Sequence, residues 1–342
     1  MTLATTFSLE LAEKLSFAID DKTKPVGSLG QIESLAIQIG LIQNTLAPSV
    51  DNPAAFVFGA DHGVCAEGVN PFPQEVTEQM LANFAHGGAA MSVFCRVNGI
   101  KMNVVNMGIA NPDARWANVL HHAISNGTAN FREQPAMTDA QSAEAIQIGA
   151  SLASQAVEQG HNLLIVGEMG IGNTTSASAI LSSILGLDPK DCVGPGTGAT
   201  EQQQTLKIKV IKDAIARVAS PLTPMQALAE FGGFEIAAMV GFLQEAATLK
   251  TPVIVDGFIS TVAALIAEKH NPGLSQHWIF AHQSAEPAHD AMLQALSARP
   301  LLNLQLRLGE GTGAALAYPL VKCAVAMLND MATFSSAGIS AS

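Results

Sequence analysis

The chain has 342 residues, of which 48% are hydrophobic and only 13% charged, with 29 acidic against 17 basic side chains and a net charge of −12. That balance excludes a general polyanion binder: a nucleic-acid surface needs clustered cations, and no basic cluster with interleaved aromatics occurs. The apolar fraction implies buried strands and helices over much of the chain, with some apolar surface covered by a partner subunit, so an oligomer is expected.

The N-terminus, MTLATTFSLELAEKLSFAID, lacks a basic start and an uninterrupted apolar core and does not read as a signal peptide. Later apolar stretches are broken, by Asp256 within PVIVDGFISTVAALIA and by Pro319 and Lys322 in the last helical pattern, so no membrane span and a cytoplasmic protein are expected. Cys65, Cys95, Cys192 and Cys323 are isolated, without a C-x-x-C pair, which fits reduced, mostly buried thiols rather than disulfides or a zinc site.

Residues 1–49 carry helical patterns around the turn KPVGSLG (24–30). A repeated grammar follows, in which short apolar runs end at glycine or a polar residue and most lead into a long helical pattern. The runs are AAFVF (54–58), MNVVNM (102–107), LLIV (163–166), PVIV (252–255), WIFA (278–281) and LNLQL (302–306); their tails are GADHG, GIANPD, GEMGIGNTT, DGFIS, HQSAE and RLGEGTG. This alternation predicts an α/β fold with a parallel six-stranded sheet flanked by helices, and a ligand site where the tails converge beyond the carboxyl ends of the strands. Residues 314–331 form a final apolar helix before a Ser- and Ala-rich tail, and 1–49 with 314–342 are expected to pack as a small helical domain beside the catalytic domain, 50–313.

The glycine-rich turns are not dinucleotide fingerprints. GEMGIGNTT lacks the glycine at Thr175 that would complete G-x-G-x-x-G from Gly170, GEGTGAAL fails from both Gly309 and Gly311, and no Walker A sequence occurs. With VGPGTG (193–198), which precedes a helical pattern carrying Lys207, they make three turns of the kind that opens a helix toward a phosphate, so an anionic small-molecule ligand is expected. Glu168 and Glu310 occupy matching glycine-flanked positions, GEMG and GEGTG, and a pair of carboxylates in one crevice suits a cationic or oxocarbenium-like centre. Gly309, Gly311 and Gly313 would let a ligand approach the backbone closely. Asp61-His62, His121, His122, His282 and His289 show no metal-ligand spacing.

The set KPVGSLG, ADHGV with EGVNPFPQEVT, GEMGIGNTT, GGFE (232–235), DGFIS, HQSAE and RLGEGTGAAL, in that order over about 300 residues, resembles the nicotinate-nucleotide:dimethylbenzimidazole phosphoribosyltransferase family of cobalamin biosynthesis. The resemblance implies a Rossmann-like sheet domain plus a small helical domain, a homodimer, and transfer of the phosphoribosyl group of nicotinate mononucleotide to 5,6-dimethylbenzimidazole without a cofactor or metal. It implies that Glu310 is the general base and that Glu168 offsets positive charge on the ribose. Gly170, Asn173, Thr174, Lys207 and Ser284, with Gly309 and Gly311, would hold the nucleotide and its phosphate, and Phe72, Met80 and Leu308 would form the acceptor-base pocket. Two departures stand out. Many relatives read GRGTG where this chain has Pro195 within GPGTG, followed by acidic residues where this chain has Ala199-Thr200-Glu201, and the NPFPQEVT segment varies. An NAD-linked oxidoreductase and a non-catalytic nucleotide binder are the competing readings; the first is opposed by the failed fingerprint.

Overall fold

The computed structural model describes residues 7–340 apart from 112, 197 and 220. Pro112 of the GIANPD tail, Thr197 of the GPGTG turn and the first six and last two residues therefore lie outside the described residues. Six parallel strands, β1 (Pro53–Ala60), β2 (Lys101–Gly108), β3 (Val119–His121), β4 (Leu163–Met169), β5 (Val253–Val255) and β6 (Trp278–Phe280), form one sheet in the order β3-β2-β1-β4-β5-β6. The chain reverses its direction of travel between β1 and β4, and a crevice opens beyond the carboxyl ends of the strands at such a switch point.

Helices α1 (Leu9–Asp20) and α2 (Gln31–Ile42) precede the sheet, and α3 (Glu75–Ala85) and α4 (Ala90–Asn98) join β1 to β2. Helix α5 (Asp139–Glu158) leads into β4. Between β4 and β5 come α6 (Asn173–Leu185), α7 (Pro189–Cys192), α8 (Glu201–Arg217), α9 (Pro224–Phe231) and α10 (Phe234–Thr248). Helix α11 (Phe258–His270) joins β5 to β6, and α12 (His289–Ala295), α13 (Thr312–Asp330) and α14 (Phe334–Ala337) complete the chain.

Because side chains alternate along a strand, each strand feeds two cores. Ala54, Phe56, Phe58, Leu164 and Val166 pack toward α5, α6, α10 and α11, whereas Ala55, Val57, Leu163, Ile165 and Ile254 pack toward α1, α2, α4 and α13. Both faces are covered, which is why the strands read as continuous apolar runs.

Two sequence expectations are corrected here. LNLQL (302–306) is not a strand: only Leu302 makes a parallel bridge, to His282, and the run then departs, with Gln305 at φ 59 and Leu304 exposed. The sixth strand is instead Val119–His121, too short to announce itself by periodicity. Nor does Pro319 interrupt the last helix, since α13 runs through it from Thr312 to Asp330. A proline in a helix removes the N–H that would bond the carbonyl four residues back. Here that carbonyl, of Ala315, accepts instead from Asn98 Nδ2 on α4 at 3.2 Å. By length and composition alone α13 is therefore apolar enough to cross a membrane. It is a core helix, with Ala314, Ala315, Ala317, Val321 and Ala324 fully buried among residues of α2, α4 and the sheet. All four cysteines are free thiols, and Cys323 is exposed.

Helices α5 and α10 meet backbone to backbone. A methyl on Gly149 would collide with the Ala238 carbonyl, and one on Gly241 with the Ile146 carbonyl. Neither obstacle is a flexible side chain, so the helices would have to separate. In an unhindered helix Gly→Ala stabilises by up to about 1 kcal/mol; Gly241→Ala is expected to destabilise by about 2–3 kcal/mol through overpacking, measured as a lower urea midpoint.

Candidate active site

Beyond the carboxyl end of the sheet lies a pocket whose walls come from the tails of β4 (Glu168–Thr174), β5 (Asp256–Ser260) and β6 (His282, Ser284, Glu286), from Arg307–Glu310, from Gly196 and Lys207, and from Asn70–Phe72 at the mouth. Four of the six sequence-derived tails converge there. GADHG does not line it: His62 is fully buried behind it, its Nε2 2.7 Å from Glu235 Oε1, packed against Gly170 and Gly172. The GIANPD tail is absent from the lining as well.

Glu168 is the penultimate residue of β4 and almost wholly buried. Its Oε2 accepts from Asn173 Nδ2, and its Oε1 lies 3.4 Å from the backbone N–H of Glu310. Burial, with the charges of Asp256 and Glu235 adding to it, pushes the Glu168 carboxyl up to about 8. Glu310 is also buried, and burial reinforced by Asp256 raises it to about 7 against a bond from the Met91 backbone. The two approach because glycine faces them: a methyl on Gly309 would strike Glu168 Oε1, and one on Gly167 the Glu310 carbonyl.

Other groups in the pocket suit an anion. Helices α6 and α11 begin at Gly172 and Gly257, neither of which has a side chain to cap the first turn, and both first turns line the pocket. Free N–H groups at a helix start, with the helix dipole behind them, attract negative charge. Lys207 is buried beside them, Nζ 3.4 Å from Thr174 Oγ1, and burial lowers its pKa against the opposing pull of Glu286. Arg307 Nη1 donates to the Gly196 carbonyl at 2.7 Å. The Ser284 backbone N–H donates to His289 Nδ1 at 2.8 Å, and His289 Nε2 lies 2.9 Å from Thr261 Oγ1. Burial and neighbouring His282 push His289 down to about 3, so it is a neutral brace for Ser284.

The pocket thus brings together Glu168, Gly170, Asn173, Thr174, Lys207, Ser284, Gly309 and Glu310, with Phe72 and Leu308 half exposed at the rim. Gly311 and Met80 are outside the lining: Gly311 is the N-cap of α13, and Met80 on α3 packs against the core that contains α2 and α4. Sequence reasoning missed Asp256, His282, Glu286 and Arg307, which all line the pocket. Each was inside a quoted tail, DGFIS, HQSAE or RLGEGTG, so position after a strand was the available signal. Among the described residues no cluster of three or more His, Cys, Asp or Glu has a metal-binding arrangement.

A pocket beyond the carboxyl ends of a doubly wound parallel sheet, lined by Lys207, two helix N-termini and buried carboxyls, suits the class of enzymes that handle phosphorylated small molecules. The sequence profile of a family described as phosphoribosyltransferase matches residues 5–339. The nicotinate-nucleotide–dimethylbenzimidazole phosphoribosyltransferase of Ralstonia nicotianae is 48% identical over 338 residues, covering 98% of this chain and 95% of that one. The enzyme of the same name from Dechloromonas aromatica is 48% identical over 96% of each chain. A crystal structure of CobT from Thermus thermophilus superposes with a TM-score of 0.94 at 40% identity, covering 97% of this chain and all of that one. The chain belongs to the nicotinate-nucleotide–dimethylbenzimidazole phosphoribosyltransferase family.

The raised carboxyls set a pH dependence of stability. A free glutamate titrates near 4.5, so the folded protein holds protons on Glu168 and Glu310 that the unfolded chain releases. Their contribution is complete below about pH 4.5 and is lost as pH rises through 7 and 8. Glu168→Gln, always neutral, should therefore match the parent in thermal stability at pH 5 and exceed it by a few degrees at pH 8–9, as followed by calorimetry without ligand.

Proposed function

We propose that this chain transfers the 5-phosphoribosyl group of nicotinate mononucleotide to 5,6-dimethylbenzimidazole, giving α-ribazole 5′-phosphate and nicotinate in the nucleotide-loop assembly of cobalamin biosynthesis. The observation that carries the reading is that Glu168, in contact with the Glu310 backbone, and Glu310 line one pocket with Lys207 and two helix starts, in a chain of this family.

The chemistry fits that arrangement. The phosphate lies toward the first turns of α6 and α11, near Lys207 and Ser284, with Gly170, Asn173 and Thr174 against the nucleotide. The pyridinium and the anomeric carbon then lie toward the glutamates. An adjacent cation favours the ionised form of a raised carboxyl, so binding draws the proton from Glu168 and pairs its charge with the ring. As the bond from C1′ to the nicotinate nitrogen breaks, its electron pair neutralises the pyridinium and positive charge moves to the ribose, still beside Glu168. The acceptor nitrogen bonds to C1′ from the opposite face while Glu310 takes the proton from the imidazole ring. The leaving ring departs neutral, so it needs no general acid, and the reaction calls for no cofactor. Phe72 and Leu308 offer apolar area to the flat acceptor, and Gly309 and Gly311 shape the turn that carries Glu310. Met80 is assigned to the acceptor side on the resemblance alone.

We read the assembly as a cytoplasmic homodimer, supported by the large apolar side chains Leu9, Phe17 and Val26 left exposed near the N-terminus, which a second copy would cover. The small helical domain, 1–49 with 314–342, is supported by the Lys22–Thr333 bridge that joins its two segments, although its helices share a core with the sheet.

Mixing the protein with nicotinate mononucleotide and dimethylbenzimidazole should release nicotinate, followed by chromatography. Proton NMR should show only the α-anomer, because one displacement inverts a β-nucleotide; a β-product, or a ribosyl adduct on Glu168, would mean that the two glutamates have been given the wrong roles. Glu310→Gln should lower turnover by about 10²- to 10⁴-fold with nucleotide binding kept. In the parent enzyme the rate should climb with pH through about 7, as Glu310 loses its proton. Near-normal turnover in the glutamine variant would exclude Glu310 as the base.

A further inference from the structure

Asp256 and His282 line the pocket and have no part in the reaction just described. Both are buried, each 2% exposed. Asp256 follows β5, and its carboxylate straddles the start of α13: Oδ2 accepts from the Gly311 N–H at 3.1 Å and Oδ1 from the Ala314 N–H at 3.0 Å. It thereby caps a helix whose own N-cap, Gly311, has no side chain. His282 Nε2 sits 3.5 Å from Asp256 Oδ1. A methyl on Gly313 would strike the His282 ring and come within 2.8 Å of Asp256 Oδ1, and one on Gly257 would reach 2.9 Å from His282 Nε2. Two glycines therefore make room for this pair.

The chain enters α13 through three consecutive left-handed residues, Gly309 (φ 84), Glu310 (φ 66) and Gly311 (φ 91). For the glycines this is free, whereas Glu310 carries a Cβ and holds that conformation at a cost. The surroundings must enforce it, and Asp256 binds the residue directly after Glu310. We infer that Asp256, paired with His282, is a positioning residue for Glu310: it holds the left-handed turn that aims the base into the pocket, and it presents to that base a charge which His282 offsets. The inference rests on Glu310 being the base.

The titratable groups that share the pocket with Glu310 are Glu168 from β4, Asp256 after β5, His282 and Glu286 after β6, Lys207 on α8, and Arg307; of these Asp256 acts on its carboxyl. Asp256 adds to the rise of both glutamates, behind burial. Burial, the largest single influence, would lower His282, but its bond to Asp256, the charge of Asp256 and a backbone bond at Gln283 together outweigh it, so His282 carries positive charge to higher pH than a free histidine.

The two members of the pair should therefore act in opposite senses. The test measures kcat against pH at saturating nicotinate mononucleotide in the full-length protein. Asp256→Asn loses one acceptor and the charge; kcat should fall about 10²-fold, as for a misplaced base, with nucleotide Kd changed by less than about threefold. Its acid-limb midpoint should drop by about one pH unit. His282→Gln leaves Asp256 charged without its counter-charge, so its midpoint should rise. A purely structural role would lower the melting temperature without moving the midpoints apart. Midpoints that stay put or move in the same direction overturn the inference; if Asp256→Asn does not fold, His282→Gln decides alone, by a rise or its absence. Retained turnover in Glu310→Gln would remove the base and this inference with it. Loss there with unmoved midpoints would overturn the inference alone.

Discussion

Glu168, Glu310 and Asp256 are three of the four buried carboxyls that line one pocket, Glu286 being the fourth, and the site depends on how their charge is tolerated there. Taking an ionised carboxylate out of water costs several kcal/mol even after relaxation. Two different solutions are used. Glu168 and Glu310 hold protons into the neutral range, whereas Asp256 is supplied with two backbone N–H groups and a histidine. The first solution leaves groups free to exchange protons, as a base must. The second gives a fixed anchor. Chemistry and scaffold are thus assigned to different carboxyls by the donors that the backbone offers each one.

The sheet decides which donors those are. Glu168 lies opposite Phe58 of β1 in parallel register, near the carboxyl end of a central strand, so the tails of β5 and β6 and the start of α13 close over it. The uncapped starts of α6 and α11 line the same pocket. Helix N-termini, a buried lysine and buried carboxyls thus meet in one crevice, with Asn173 at the start of α6 bonded to Glu168. In the proposed binding mode, the phosphate of a mononucleotide would meet Lys207 and the helix starts, and its pyridinium the glutamates.

Much of this was legible from residue order, and the exceptions have physical causes. Strand-length apolar runs located β1, β2, β4, β5 and β6, because a sheet covered on both faces demands apolar residues at successive positions. Alternation misled at LNLQL: Leu304 is exposed and Gln305 left-handed, so the period of two was accidental there. The bonds that β2 provides make Val119–His121 a strand, and nothing in three residues foretells that partner. At Pro319 the carbonyl of Ala315 takes its missing donor from Asn98, 217 positions earlier. The glutamates were legible because glycines flank them. Asp256 and His282 stood in quoted motifs, but their function lies in what they hold, which is a property of distance in space.

The GPGTG turn shows how the same reasoning handles a departure from the family pattern. The family resemblance leads one to expect arginine at the place of Pro195, and a cation there would favour a nearby phosphate. In this chain a guanidinium still binds the turn, since Arg307 donates to the Gly196 carbonyl, while Lys207 Nζ lies close to where a Gly196 side chain would stand. Arg307 is also three residues from Glu310 in the segment that enters α13. One bond therefore ties the GPGTG turn to the segment that carries Glu310 and holds the two at a fixed spacing across the pocket.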